Sequence, residues 1–246
     1  MWVVGRGSLR VWATGTTFRK AHDGVELAPG VNGDIRFVAS LCRFEDTENG
    51  VEAVGDGVAA YSLDQCDFIG CHNKVGQGGV DFTGGSTGGV VERGNISTIG
   101  TIRRCDFRNC AFGIENGGFG SPLDLGTTTS PGLNNFCIDY SLFNQNPQDD
   151  LDPYRVMLHN RKAGATLNAV GNWWLRNNQG ANSNGHLLLG PIVGSVNEPP
   201  PAFLEGEFMD DNVTPWDRNF SVSNGATINF GTIPPPGSAP DCSVPP

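Results

Sequence analysis

A chain of 246 residues can hold one large domain or two small ones. Its 35 glycines, 16 prolines and charged fraction of only 17% disfavour long helices, because Gly and Pro are the poorest helix formers. A net charge of −10 counts against a nucleic-acid partner, which needs clustered Lys and Arg, and no apolar run is long enough for a membrane span.

The chain opens Met1-Trp2-Val3-Val4 with no basic leader, so no signal peptide is visible. Strand-like sequence begins at once, which reads as a mature domain or fragment of a secreted or cell-surface protein. Short apolar runs then alternate with Asn, Gly, Thr and Ser, the pattern of many strands and turns. The first run, Ala13-x-x-Thr16-x-Phe18, echoes along the chain. Ala39-x-x-Cys42-x-Phe44, Leu63-x-x-Cys66-x-Phe68, Ile102-x-x-Cys105-x-Phe107 and Ile138-x-x-Ser141-x-Phe143 follow it, and Leu167-x-x-Val170-x-x-Trp173 is a degenerate last copy. Behind the rings comes a second signal, at Gly24-Val25, Gly50-Val51, Gly79-Val80 and Gly113-Ile114.

The aromatic anchors lie 26, 24, 39, 36 and 30 residues apart, a period that means stacked supersecondary units. Alternation along a strand puts Cys66 and Phe68 on one face and Asp67 on the other. A single coil cannot bury its apolar face, but stacked coils share one core. The variable spacing then marks loops inserted between coils, the longest at about 83–98 and 115–135. Past residue 195 the repeat stops. Residues 196–232 read as a small C-terminal extension or cap, and 233–246 as a Pro-rich linker or tail.

The C-x-F-x-x-[CN]…G-[VI] rhythm resembles right-handed parallel β-helix repeat proteins of the pectin-lyase-like superfamily. It is also similar to the F-x-x-N repeats of bacterial surface β-helices, a form seen at Phe143-Asn144-Gln145-Asn146. Gly171-Asn172-Trp173-Trp174, with Gly190-Pro191 further on, resembles the ending of such domains, although Leu175 stands where the family usually has Gly. The resemblance covers about residues 9–195. It implies an all-β, right-handed parallel β-helix (a β-solenoid) over residues 1–195. It says little about chemistry, because this fold hosts lyases, hydrolases, esterases and inert adhesins.

In such a stack Cys42, Cys66 and Cys105 share one repeat position, and Cys71 and Cys110 another. Buried thiols are the simplest reading, since free Cys packs as a small apolar side chain. A cross-coil Cys71–Cys110 disulfide or a reactive thiol is the rival. Cys242, in the tail, is the expected unpaired thiol of the odd count of 7.

Outward positions carry the candidate chemistry. The repeat aligns Arg43, Asp67 and Asp106 in one column and Asp64, Arg103 and Asp139 in another, with Arg104 beside it. A weak surface ion ladder accounts for such columns. The functional reading makes Asp64, Asp67, Arg103, Arg104, Asp106 and Asp139 a catalytic face for an acidic glycan. The resemblance implies lyases that hold Ca²⁺ with carboxylates and remove a proton with a basic side chain. Hydrolysis would instead need two carboxylates at a set separation. The Gly-His-Gly and Arg-x-Lys signatures of the hydrolase families do not occur in the sequence. Asp149, Asp150 and Asp152 form an acidic turn that could bind Ca²⁺ through oxygen ligands. Arg155 and His159, in the one locally basic patch, could hold an anionic sugar. Trp173 and Trp174 could stack on sugars, and on a strand they must face opposite sides. The expected partner is therefore a carbohydrate polymer, and the expected function a carbohydrate-active lyase or hydrolase. A non-catalytic, adhesin-type surface rod is the alternative.

Overall fold

The computed structural model describes residues 1–71, 88–93, 96–110, 112–117, 119–120, 123–139, 156–160, 162–177, 186–189, 194–197, 220–222, 225–231 and 237. Among them the chain is all-β, with no helix. Strands come in repeating sets of three. The first sets are β1 (Trp2–Gly5), β2 (Ser8–Thr14) and β3 (Thr17–Arg19); β4 (Asp23–Pro29), β5 (Asp34–Ser40) and β6 (Arg43–Glu45); and β7 (Asn49–Val54), β8 (Val58–Asp64) and β9 (Asp67–Ile69). Next come β10 (Gly88–Arg93), β11 (Ser97–Arg103), β12 (Asp106–Arg108), β13 (Phe112–Asn116), β14 (Phe119–Gly120) and β15 (Asn135–Asp139). The described part closes with β16 (Val156–Asn160), β17 (Thr166–Asn168), β18 (Trp173–Asn177), β19 (His186–Leu189), β20 (Gly194–Asn197), β21 (Phe220–Val222) and β22 (Thr227–Gly231).

Each strand pairs with its counterpart one set earlier. This builds a first sheet β1-β4-β7-β10-β13-β16-β21, a second β2-β5-β8-β11-β14 and a third β3-β6-β9-β12-β15-β18-β19, beside a three-stranded sheet β17-β22-β20. Pairing is parallel, except that β19 turns back on β18 and β20 on β22. The arrangement is that of parallel strands in stacked sheets, compatible with a β-helix or solenoid.

Alternation explains the core. In β5, Ile35, Phe37 and Ala39 are fully buried while Arg36 and Val38 face out. One hydrophobic cluster draws on all three sheets, with Val25, Phe37 and Phe44 among its members. Down its middle runs a column of rings. Phe18, Phe44, Phe68, Phe107, Phe136 and Trp174 stack in register, with centroids 4.5 to 4.9 Å apart. The recurring glycine is explained by this column. A Cβ on Gly24, Gly50, Gly89 or Gly113 would lie 2.5 to 2.9 Å from a ring carbon of Phe44, Phe68, Phe107 or Phe136.

Two anchors differ from the sequence reading. The fifth ring is Phe136 rather than Phe143, which lies outside the described residues. The sixth is Trp174 rather than Trp173. The reason is chemical: two residues before the ring, Cys42, Cys66 and Cys105 give way to Asn134 and Asn172, so the pattern ceases to look apolar. Likewise Gly89-Val90 fills the place expected of Gly79-Val80, which lies outside the described residues.

Each coil turns the corner between its second and third strands through a left-handed residue three positions before the ring. Gly15, Leu41, Gln65, Arg104, Leu133 and Gly171 all have φ between 53° and 71°. A Leu or Arg there costs on the order of 1–2 kcal/mol against glycine. Because every coil does this, the conformation belongs to the fold and not to a site.

Cys42, Cys66, Cys71, Cys105 and Cys110 are buried thiols outside any disulfide, and no Cys71–Cys110 bridge forms. Cys137, buried in β15, is disulfide-bonded, which the sequence did not announce. Cys242 lies outside the described residues. Beyond residue 195, β21 extends the first sheet beside β16 and β22 pairs with β17, while Phe220 and Phe230 meet the Trp174 ring edge-on.

Candidate functional site

The second and third sheets meet at the left-handed corner, and the predicted columns flank it. Asp64 ends β8 beside Arg103 at the end of β11. Around the corner, Arg43, Asp67 and Asp106 open β6, β9 and β12 in register. That column does not stop there. Asp106 pairs with Asn135, and Asn135 pairs with Trp173. Trp173 is half-buried while Trp174 enters the core, as their adjacency on a strand required.

Asp139 does not join its expected column. It closes β15 in the third sheet, in register with Asn177, because the ring of its coil is Phe136 and Asp139 therefore follows the ring. Arg103 turns instead to Asp124, its Nη2 lying 2.5 Å from Oδ2. Arg104 Nε donates to Asp64 Oδ1 at 2.8 Å, and its Nη2 donates to the other carboxylate oxygen. These three predicted residues share a cleft of about 360 Å³ with Ser130, Pro131 and Leu133 from the second long insertion.

The two carboxylates around the corner differ in their surroundings. Asp106 accepts from Asn135 Nδ2 at 2.5 Å and lies 3.4 Å from Arg108 Nη2. Asp67 has no hydrogen-bond donor among the described residues. Burial, and then the neighbouring Asp106 charge, raise its pKa above the ordinary Asp value, with Arg43 and Arg108 pulling the other way. A carboxyl whose protonated form the fold favours sits beside one held by an amide and a guanidinium.

A second acidic row lies on the first sheet. Glu26 pairs with Glu52, and Asp23 stands close enough for the three carboxylates to reach one cation. Burial, then Asp23, raises the pKa of Glu26. His22 bridges Asp23, 2.7 Å away, and Glu48, 3.1 Å away. Burial opposes its charge, but Asp23, Glu48 and Glu52 outweigh that and raise its pKa. Glu115 and His159 are register partners on this same sheet, with His159 against the Phe112 ring. His159 is therefore on a different sheet from the Asp and Arg columns. The sequence carried a signal for this row. Gly24-Val25-Glu26, Gly50-Val51-Glu52 and Gly113-Ile114-Glu115 repeat a glutamate directly after the Gly-Val or Gly-Ile pair. Asp149, Asp150, Asp152 and Arg155 lie outside the described residues.

No protein-family model matches the chain, and no curated protein or solved structure matches it either. No described helix is long and apolar enough to cross a membrane.

Proposed function

We propose that this chain is a right-handed parallel β-helix that binds a carbohydrate polymer along the outer face of its third sheet and hydrolyses it with Asp67 and Asp106. Right-handedness follows the general rule for parallel crossovers. The observation that carries the reading is the single register column Asp67, Asp106, Asn135, Trp173. Strands about 4.8 Å apart put the two carboxyls near the roughly 5–5.5 Å separation of retaining glycosidases. Asp67, its pKa raised, protonates the leaving oxygen. Asp106, fixed by Asn135 and Arg108, attacks the anomeric carbon, and water then releases the sugar with Asp67 acting as base. Trp173, two rungs from Asp106, offers a ring for a neighbouring sugar to stack on. Hydrolysis is favoured over lyase chemistry because Arg103 and Arg104, the candidate bases, are engaged by Asp124 and Asp64. The disulfide at Cys137 supports an oxidising, extracellular setting.

The same ion pairs favour a second reading, a non-catalytic binding rod, since they neutralise the charges of the cleft. A panel of neutral and acidic polysaccharides, assayed for new reducing ends and for unsaturated products with and without EDTA, separates the two. We expect new reducing ends, and Asp67→Asn or Asp106→Asn should each lower the rate at least about 100-fold. Glycan binding without turnover would leave only the rod.

A further inference from the structure

The reaction at Asp67 and Asp106 leaves the corner cleft unused. One side of that cleft is Ser62 and Asp64 from β8 with Arg103 and Arg104, and the other is Ser130, Pro131 and Leu133. Backbone hydrogen bonds hold the second side in place. Gly132 N–H donates to Val170 O, Leu133 N–H to Gly171 O and Arg104 N–H to Gly132 O, each at 2.9 Å. Thr127 and Ser130 exchange backbone hydrogen bonds of 2.8 and 3.2 Å, which fix the exposed Ser130 at the rim. Arg104 and Leu133 stand two residues ahead of Asp106 and Asn135, so each lies within about 7 Å, Cα to Cα, of the cleaving column.

Charge decides what the cleft can take. Arg103 Nη2 meets Asp124 Oδ2 at 2.5 Å, and Arg104 grips both oxygens of Asp64 through Nε and Nη2. Each guanidinium thus has its own carboxylate, and no further charged side chain lines the cleft among the described residues. An anionic sugar would have to take Arg104 from Asp64 while facing that carboxylate, and close like charges are costly. An uncharged sugar meets no such opposition. The pair with Asp64 uses two of the five guanidinium N–H groups and one lone pair on each carboxylate oxygen. Donors are left beside acceptors, the complement of adjacent sugar hydroxyls, which both give and take hydrogen bonds. Ser62 Oγ accepts from Thr101 Oγ1 at 3.1 Å and keeps its own proton to give. Pro131 and Leu133, both half-buried, offer an apolar wall to the C–H face of a ring.

We propose that the corner cleft is the subsite that selects the polymer, and that the sugar it accepts is uncharged. Its volume of about 360 Å³ is at the small end of ligand sites, which suits a short stretch of glycan. The inference rests on the glycan-hydrolase reading for what happens to the polymer next, but binding in the cleft is measurable without turnover.

Titration calorimetry on the full chain carrying Asp67→Asn/Asp106→Asn, which removes turnover, tests this. The probes are tetrasaccharides of glucose, galactose, mannose and xylose, set against tetragalacturonate and tetraglucuronate. We expect at least one uncharged probe to bind at least about tenfold more tightly than either acidic one. Its affinity should change little as salt rises from about 0.05 to 0.5 M. Adding Asp64→Asn, which releases Arg104, should weaken that probe about tenfold and strengthen the acidic ones in a salt-dependent way. Ser130→Trp, at the exposed rim, should fill the cleft and abolish binding, so a folding failure in one variant does not leave the question open. Tighter binding of the acidic probes, no binding of any uncharged probe, or unchanged affinity in both variants would each overturn the proposal. Uncharged probes bound here, with no new reducing ends released by the unaltered chain, would remove the hydrolysis and leave the selectivity of the cleft standing.

Discussion

The early and late coils of this stack occupy the same core position with different chemistry. Before the ring, the early coils place Cys42, Cys66 and Cys105; the later ones place Asn134 and Asn172, all of them buried. The thiols do modest work. The Cys66 N–H donates to Cys105 Sγ at 3.4 Å, and Cys105 Sγ to Arg103 O at 3.2 Å. The asparagines are far busier. Asn134 Oδ1 accepts from Cys105 N, while its Nδ2 donates to Ile102 O and to Asn172 Oδ1. Asn172 Nδ2 donates to Leu125 O and Ala169 O. Leu125 belongs to the second long insertion. Where coils close directly, a small apolar side chain fills the rung. Where a loop leaves the stack, its buried carbonyls need donors, and the rung becomes an amide.

Removing an amide rung should therefore cost most. Asn134→Ala strands the Cys105 N–H inside the core, at about 1–3 kcal/mol, and removes donors to the Ile102 carbonyl and Asn172 Oδ1, which keep Arg103 Nη1 and the Asn134 N–H, at about 0.5–1.5 kcal/mol each. We expect a loss of roughly 3 kcal/mol or more, read from the urea midpoint. Gly50→Ala should rank next. Its Cβ would lie 2.5 Å from the Phe68 ring and 2.6 Å from the Gly89 carbonyl, and overpacking of this kind costs about 1–3 kcal/mol. That result would show the early coils to be held by ring against glycine rather than by sulfur. Cys105→Ala, which removes a small side chain with weak bonds, should cost only about 1 kcal/mol. If Cys105→Ala matched Asn134→Ala, the contrast between the two kinds of rung would be gone.

The same contrast explains what could be read from the sequence. Phe18, Phe44, Phe68 and Phe107 were legible because Thr or Cys precedes each ring at a fixed distance and Gly-Val follows three of the four. Phe136 and Trp174 were hidden because an amide replaced the thiol, and asparagine in a sequence reads as a turn rather than a core residue. The corner residues Leu41, Gln65, Arg104 and Leu133 share a left-handed backbone but no side-chain type, so no pattern betrays them. The Arg43, Asp67, Asp106 column followed from the period alone, and Asp64 with Arg103 did too. Asp139 was misplaced with its ring. The Glu26, Glu52 and Glu115 row is written in the sequence one residue beyond the Gly24-Val25, Gly50-Val51 and Gly113-Ile114 pairs. The Cys137 bridge could not be read, since pairing depends on which sulfurs the fold brings together.

The smallest effect lies on the outside of the same transition, where Asn135 serves Asp106 and nothing comparable serves Asp67. The raised pKa of Asp67 means that the fold favours its protonated form. That contribution is present below the ordinary Asp value and is lost as pH rises through the higher folded value. At neutral pH the ionised group therefore stands at a disadvantage beside Asp106, screened by solvent because the side chain is only half-buried. Asp67→Asn should consequently raise the melting temperature slightly at pH 7, by less than about 1 kcal/mol in stability. The gain should shrink to nothing as pH falls below the usual carboxylate range. A stability gain at pH 7 together with lost glycan cleavage would mark Asp67 as a residue kept for chemistry at the expense of the fold. An unchanged or lower melting temperature would mean instead that Arg43 and Arg108 already satisfy the carboxylate, and that the column is an ion ladder.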